Sequence, residues 1–298
     1  MIVARPIARL LTGFFAVAAV LLVAALILTL SQPAPAPPPL PQPNGYDDFV
    51  KAGRMITDSA SDYGAMSEEE LRAFMKKNAE ALKLVRTGLG RECRVPLDHS
   101  ATNTAVLGNL AVIKRLAQAM TAEGRLAEME NRPADAVEAY LAVMRLGVAS
   151  SHGGLIINSL VSIAIDTIGA VRMEKLAPTL DAKQCREAAA ALESCEAQRE
   201  PTDTIMRQER AWARRAYGLK GQLARLLMFK SLKQSEGKWV AKAKAQQTRT
   251  RLLLIQLAAR AYELEKGQRP KSLADLVPVY LKTIPQDPLT GTNMAFYP

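Results

Sequence analysis

The chain has 298 residues, 49% hydrophobic, 5% aromatic and 23% charged, with a formal net charge of +10 at pH 7. That length holds one large or two modest domains, and an apolar share dominated by Ala and Leu argues against a β-rich fold, because strands recruit Val, Ile, Thr and aromatics. The positive charge is regional, since residues 201–250 carry 12 Lys or Arg against 3 Asp or Glu, a net +9, while residues 1–200 together net −1.

From the amino end, Leu10 to Leu30 is a run of twenty-one residues without a charge. About 20 apolar residues rising 1.5 Å each cross a bilayer core. Arg5 and Arg9 precede the run and no basic residue follows it closely, so residues 1–9 are expected to stay cytoplasmic. A cleaved signal peptide is the competing reading. Its apolar region would be unusually long, and the prolines of "PAPAPP" stand where a peptidase needs an accessible small-residue site. No cysteine follows the apolar run, which argues against a lipoprotein-style attachment. The expectation is an uncleaved transmembrane helix over 10–30, with the bulk of the chain outside the cytoplasm.

A Pro-rich linker, residues 31–45, comes next. Seven of the eleven residues from Pro33 to Pro43 are proline. Such a stretch prefers the extended polyproline form, about 3.1 Å per residue, and predicts a semi-rigid stalk of roughly 30 Å that holds the body off the lipid. A Pro-rich ligand for a recognition domain is the functional alternative.

Residues 46–260 read as a helical body. "YDDFVKAGRMITDS" and "SEEELRAFMKKNAEALKLVRTGLG" both space apolar residues at i, i+3, i+4 and i+7. The second opens on a Ser67–Glu70 capping box and closes near Gly88 and Gly90; Glu68, Glu69 and Glu70 suit the dipole of its first turn. "RECRVPLDHS" is a connector, since Pro96 pushes the residue before it out of helical geometry. Leu107, Leu110, Ile113, Leu116 and Met120 make one stripe; Ala136, Ala139, Tyr140, Val143 and Met144 make another, with Pro133 in a first turn. "GRLAEMENRPADAVEAYLAVMRLG" resembles a single tetratricopeptide-type hairpin, without a second copy at a fixed period.

"GGLIINSLVSIAIDTIGAVRMEKLAP" is the most apolar stretch after the anchor. Its polar interruptions suit a central core helix better than a second span. Asp166 then needs an arginine or a helix amino terminus nearby, because an unpaired buried carboxylate is costly. "DAKQCREAAAALESCEAQREPTD" gives another helix ending at Pro201, with Glu193 and Glu196 expected on a solvated face. Beyond Asp203, Gly218, Gly221 and Gly237 predict two or three helices rather than one rod.

No residue pattern selects a catalytic, cofactor-binding or metal site. Cys93, Cys185 and Cys195 lack zinc-type spacing, and their odd number argues against a disulfide framework. His99 and His152 stand outside any HExxH-like frame; His152 in "SSHGG" lies where a helix begins and could help hold an anion there. If the chain were an enzyme, His99, His152 and Asp166 are the residues that could be named. In the basic region Trp212, Tyr217, Phe229 and Trp239 alternate with Arg214, Arg215, Lys220, Arg225, Lys230 and Lys238. Three readings fit that alternation: nucleic-acid binding, contact with anionic lipid head groups, or a solvated face over buried aromatics. The expected orientation removes DNA from reach.

The closing segment, residues 261–298, differs from the rest. Gly267 should cap the long helix, Ser272 and Asp275 should box a short one, and Leu273, Leu276, Val277 and Leu281 should cover something apolar. Asp287–Pro288 with Gly291 predicts a turn returning Ala295, Phe296 and Tyr297 across the body. The segment is therefore read as a clip. Tyr262, Gly267, Pro270, Leu273, Leu276, Pro285, Asp287, Pro288, Gly291 and Tyr297 resemble the carboxy-terminal part of the major pseudopilins of type II secretion. That likeness covers about forty residues and implies a secretion or pilus-like component. In those proteins the helix continues directly from the membrane span, whereas here more than two hundred residues intervene. Asp287 alone makes a poor calcium site, though some pseudopilin loops hold that ion. The whole chain, from anchor through stalk and "NGYDDFVKAGR" to this tail, resembles an uncharacterised family of bacterial single-pass, membrane-anchored helical proteins. The uncut apolar anchor, the stalk and a helical body without a catalytic pattern predict an inner-membrane protein with an extracytoplasmic body and a binding or scaffolding role rather than an enzyme.

Overall fold

The computed structural model describes residues 37–58, 63–97 and 104–296, with isolated positions between 17 and 28. Apart from those positions the expected anchor over 10–30 lies outside the described residues, as do residues 31–36, His99 and Tyr297. Among the described residues the fold is all-α: nine α-helices, two 3-10 turns, no strand, and an isolated bridge between Gln286 and Asn293.

Helix α1, Gly45–Met55, begins where the Asn44 side chain accepts from the Tyr46 amide at 3.2 Å and donates to the Arg94 carbonyl at 2.8 Å. One residue thus caps the helix and ties it to the connector after α3. Helix α2, Glu68–Lys77, carries the Ser67–Glu70 capping box. The periodic run that predicts one helix over 67–90 is divided at Asn78 into α2 and α3, Ala79–Leu89. Asn78 turns its side chain to the backbone, accepting from the Thr57 amide at 2.9 Å and donating to the Phe74 carbonyl at 2.9 Å. Such local bonding competes with the helix ladder.

Helices α4, Thr104–Met129, and α5, Pro133–Ala149, form the expected hairpin. They approach closely at Gly124, where a Cβ would come within 2.4 Å of the Tyr140 ring. Tyr140 is buried and donates its hydroxyl to Glu128. Helix α6, Ile156–Leu176, packs against α4 and α5 and against two helices from the last third of the chain. Ile156–Thr179 is the one stretch among the described residues long and apolar enough to cross a membrane. It nevertheless buries Asn158, Ser159, Ser162 and Asp166 within protein contacts, as a core helix does.

Helix α7 is Ala182–Ala197, α8 is Thr202–Leu227 and α9 is Phe229–Lys266. The basic region breaks at Gly218, whose φ of 54° and ψ of −147° leave the helical region, and again at Met228. Gly221 and Gly237 do not break it. Near Gly237 the helix is held by Trp239, buried and donating its indole N–H to Ser159 Oγ at 3.0 Å, so tertiary contact outweighs the roughly 1 kcal/mol that a helical glycine costs.

Two apolar clusters meet across α5 and α6. The first gathers Phe49, Leu71, Val85, Ile113 and Leu146; the second gathers Tyr140, Met144, Met173, Leu192 and Leu257. The tail completes the second. Gly267 caps α9 in the left-handed conformation with φ 68°, and Leu273, Leu276, Tyr280, Leu281 and Met294 are buried against it. Val277 and Phe296 pack at the margin. The Lys282 amide donates to Glu193 at 2.8 Å, Arg251 to the Gln286 carbonyl at 2.5 Å, and Tyr280 to Glu265 at 2.8 Å. The segment is a clip laid across α7 and α9.

Candidate functional site

Three connectors converge at one end of the body. The Val95 amide donates to the His152 carbonyl at 2.8 Å, the His152 ring meets the Gln198 carbonyl at 2.7 Å, and the Gly153 amide donates to Glu200 at 3.1 Å. The start of α6 is closed from the same side. Its Ile156 amide donates to Glu209 at 3.0 Å, and the Leu155 amide to Asn158 at 3.0 Å. The helix start at which His152 could help hold an anion is therefore already closed by Glu209 of α8.

Beside this junction lies a groove of about 440 Å³. Val95, Pro96, Leu97 and Trp212 give it an apolar lining, and Arg94, Arg207 and Arg215 add guanidinium groups. Pro37, Pro38 and Leu40 form part of its wall. The described part of the Pro-rich linker, from Pro37, thus runs beside the body, where the sequence predicts a stalk standing clear of it. Pro37, Pro38 and Leu40 remain exposed at its rim, Leu40 at 43%. Trp212 is held in turn by the Tyr217 ring, edge-on at 5.6 Å.

A smaller cleft of about 260 Å³ adjoins the groove and includes Cys93, His152 and Glu200. A carbonyl oxygen only accepts, so the His152 nitrogen facing Gln198 carries the proton and is not available as a base there. Burial and the nearby Asp48 and Glu92 charges push the Cys93 thiol up to about 12, far from the thiolate that a nucleophile needs. All three cysteines are free and buried.

Asp166 has no exposed surface, and Arg199 donates to it at 2.6 Å. Arg199 also holds Glu196 at 2.7 Å, and Arg251 approaches Glu196 at 3.8 Å. The partner expected for Asp166 is an arginine, as the sequence implies. Glu196, expected on a solvated face with Glu193, is instead buried, and burial raises its carboxyl above the usual range. Glu193 receives the tail amide of Lys282. The signal was present in the sequence: Glu196 follows Leu192 by four residues, on the stripe of Cys185, Ala188, Ala189 and Leu192.

The other singled-out groups serve local structure. Asp287 accepts from the Leu289 amide at 2.9 Å and from the Thr290 hydroxyl at 3.1 Å. Glu70 closes its capping box, and Glu68 pairs with Arg72 at 2.6 Å. Among the described residues no group of three or more His, Cys, Asp or Glu could hold a metal ion. In the basic region Trp212 and Trp239 are buried, whereas Tyr217 and Phe229 are exposed. No family model matches the chain, and neither a curated protein nor a solved structure matches it.

Proposed function

We propose that this protein is a membrane-anchored, extracytoplasmic scaffold of the bacterial cell envelope that works by binding rather than catalysis. The observation that carries the reading is the groove between the 91–97 connector and α8, with the linker as one wall. A tether seated against the body fixes how the body is presented to the membrane and to its neighbours. The groove combines apolar lining with arginines, a composition that suits protein contacts.

A photo-crosslinking residue at Ala211, compared with one at the exposed Glu69 of α2, tests this in intact cells. A defined adduct from Ala211 and none from Glu69 is the expected result. No adduct from either, in cells where protease added outside degrades the body, counts against a binding role. Protection of the body from that protease overturns the orientation.

A component of a type II secretion or pilus-like assembly is the second reading. It rests on the Gly267 cap and the Asp287–Gly291 turn, where the Gly291 amide donates to the Asp287 carbonyl at 2.8 Å, in line with the pseudopilin resemblance. Self-assembly of the full chain on removal of detergent supports it. A strictly monomeric chain does not.

A further inference from the structure

We infer that the α8–α9 hairpin tip, Leu227–Phe229 ringed by lysines, is a second membrane contact that seats in an anionic bilayer. The inference rests on the anchored reading and assigns it a lipid-facing element.

Three consecutive large apolar residues project at this turn: Leu227 is 90% exposed, Met228 56% and Phe229 62%. A body with two well-filled clusters has no folding reason to leave them in water. Between Lys220 and Lys233 the sequence has four basic residues and no acid. Lys220, Lys230 and Lys233 are exposed, and the Lys233 ammonium lies 5.9 Å from the centre of the Phe229 ring. Apolar side chains at the apex with flexible cations around them match the boundary between acyl chains and anionic head groups, where lysine stems lie along the apolar layer and their charges meet phosphates.

The position of the tip agrees with its composition. Helix α9 runs parallel to α6, because Trp239 bonds Ser159, Gln246 bonds Thr167 and Arg249 bonds Glu174 in that order. Ser159 lies in the first turn of α6. Ser159 is three residues inside α6, so of the ten residues from Phe229 to Lys238 about seven overhang its start, a rise of roughly 10 Å. Gly153, just before that start, shares the groove with Pro37 and Leu40. The linker and the overhanging tip thus belong to one end of the molecule. Six residues, 31–36, separate Pro37 from the uncharged run, a reach of about 20 Å if extended. A tether so short brings this end, and no other, against the membrane. The non-helical Gly218, with open space where its Cβ would be, lets the tip change its angle to the body.

The test uses the full chain reconstituted in vesicles whose acyl chains carry bromine, a collisional quencher of indole. The native indoles, Trp212 and Trp239, are both buried and supply the baseline; F229W adds a reporter at the tip. In vesicles containing phosphatidylglycerol, F229W emission is expected to fall by roughly half beyond the wild-type baseline. Replacing phosphatidylglycerol by phosphatidylcholine, or adding K220E, K230E and K233E, should restore it. Equal quenching of F229W and wild type, in vesicles that retain the protein through an alkaline carbonate wash, overturns the tip contact and leaves the anchor standing. Loss of the protein in that wash, with quenching of F229W before it, overturns the anchor and supports the tip contact. Blue-shifted emission insensitive to bromine, together with a crosslinked dimer, overturns the inference in favour of a second copy covering the tip.

Discussion

Arg199 holds two carboxylates in the interior, and its surroundings explain why it cannot be spared. Asp166 and Glu196 lie within 2.7 Å of its guanidinium, and Arg199 itself is nearly enclosed. Removing one member of a buried ion cluster leaves uncompensated charge and costs about 3–5 kcal/mol. R199M should therefore lower the Tm by roughly 10 °C, with D166N added to R199M recovering part of the loss in a calorimetric scan. Glu196 sets a pH dependence. Burial raises its carboxyl in the folded state, so its contribution is fully present below the ordinary glutamate range and is lost as pH rises through the raised value. Relative to wild type, E196Q should gain stability as pH rises above the ordinary glutamate range, read as the urea midpoint. The cysteine thiols are pushed up by burial, Cys93 and Cys195 to about 12 and Cys185 to about 11. Iodoacetamide should then modify none of them in the native protein and all three in urea. At this scale the need of Asp166 for an arginine or a helix amino terminus was legible, because an unpaired buried carboxylate is costly. Which arginine was not, since 33 residues separate the pair.

At the scale of the element, the tail is the clearest case of structure built for cover. Leu276 is fully buried under α7 and α9, so L276A removes apolar area and leaves a cavity costing about 2–5 kcal/mol. The expected signature is a lower chemical-unfolding midpoint with an unchanged slope. The clip was readable because its devices are local: a left-handed glycine, a capping box, a Pro-bounded turn. Helix breaks were read less well. Asn78 divides a strongly periodic run because its side chain reaches Thr57, 21 residues away. Gly237 leaves α9 intact because Trp239 docks on α6. Propensity weighs each residue alone, and both outcomes turn on a distant partner.

For the whole molecule, burial divides the chain into a firm body and a lightly covered hairpin. Buried apolar residues concentrate in α4, α5 and the second half of α9, from Leu253 to Ala261, while residues 227–231 are exposed. Amide exchange should be slowest in those helices and fastest around 227–231, by orders of magnitude, because the side chains there are already exposed. Mass-spectrometric exchange of the full chain measures this directly. Equal protection across α9 would contradict it.

Composition and periodicity by themselves determined the helical class, the hairpin of α4 and α5, the regional charge and the shape of the tail. Each is written in residues a few positions apart, within reach of one turn. The tertiary structure alone decided that Glu196 joins an interior ion cluster, that the linker borders a groove, and that it shares an end with the exposed hairpin tip. Those placements depend on contacts between residues tens to more than a hundred positions apart, whose pairing no local pattern records.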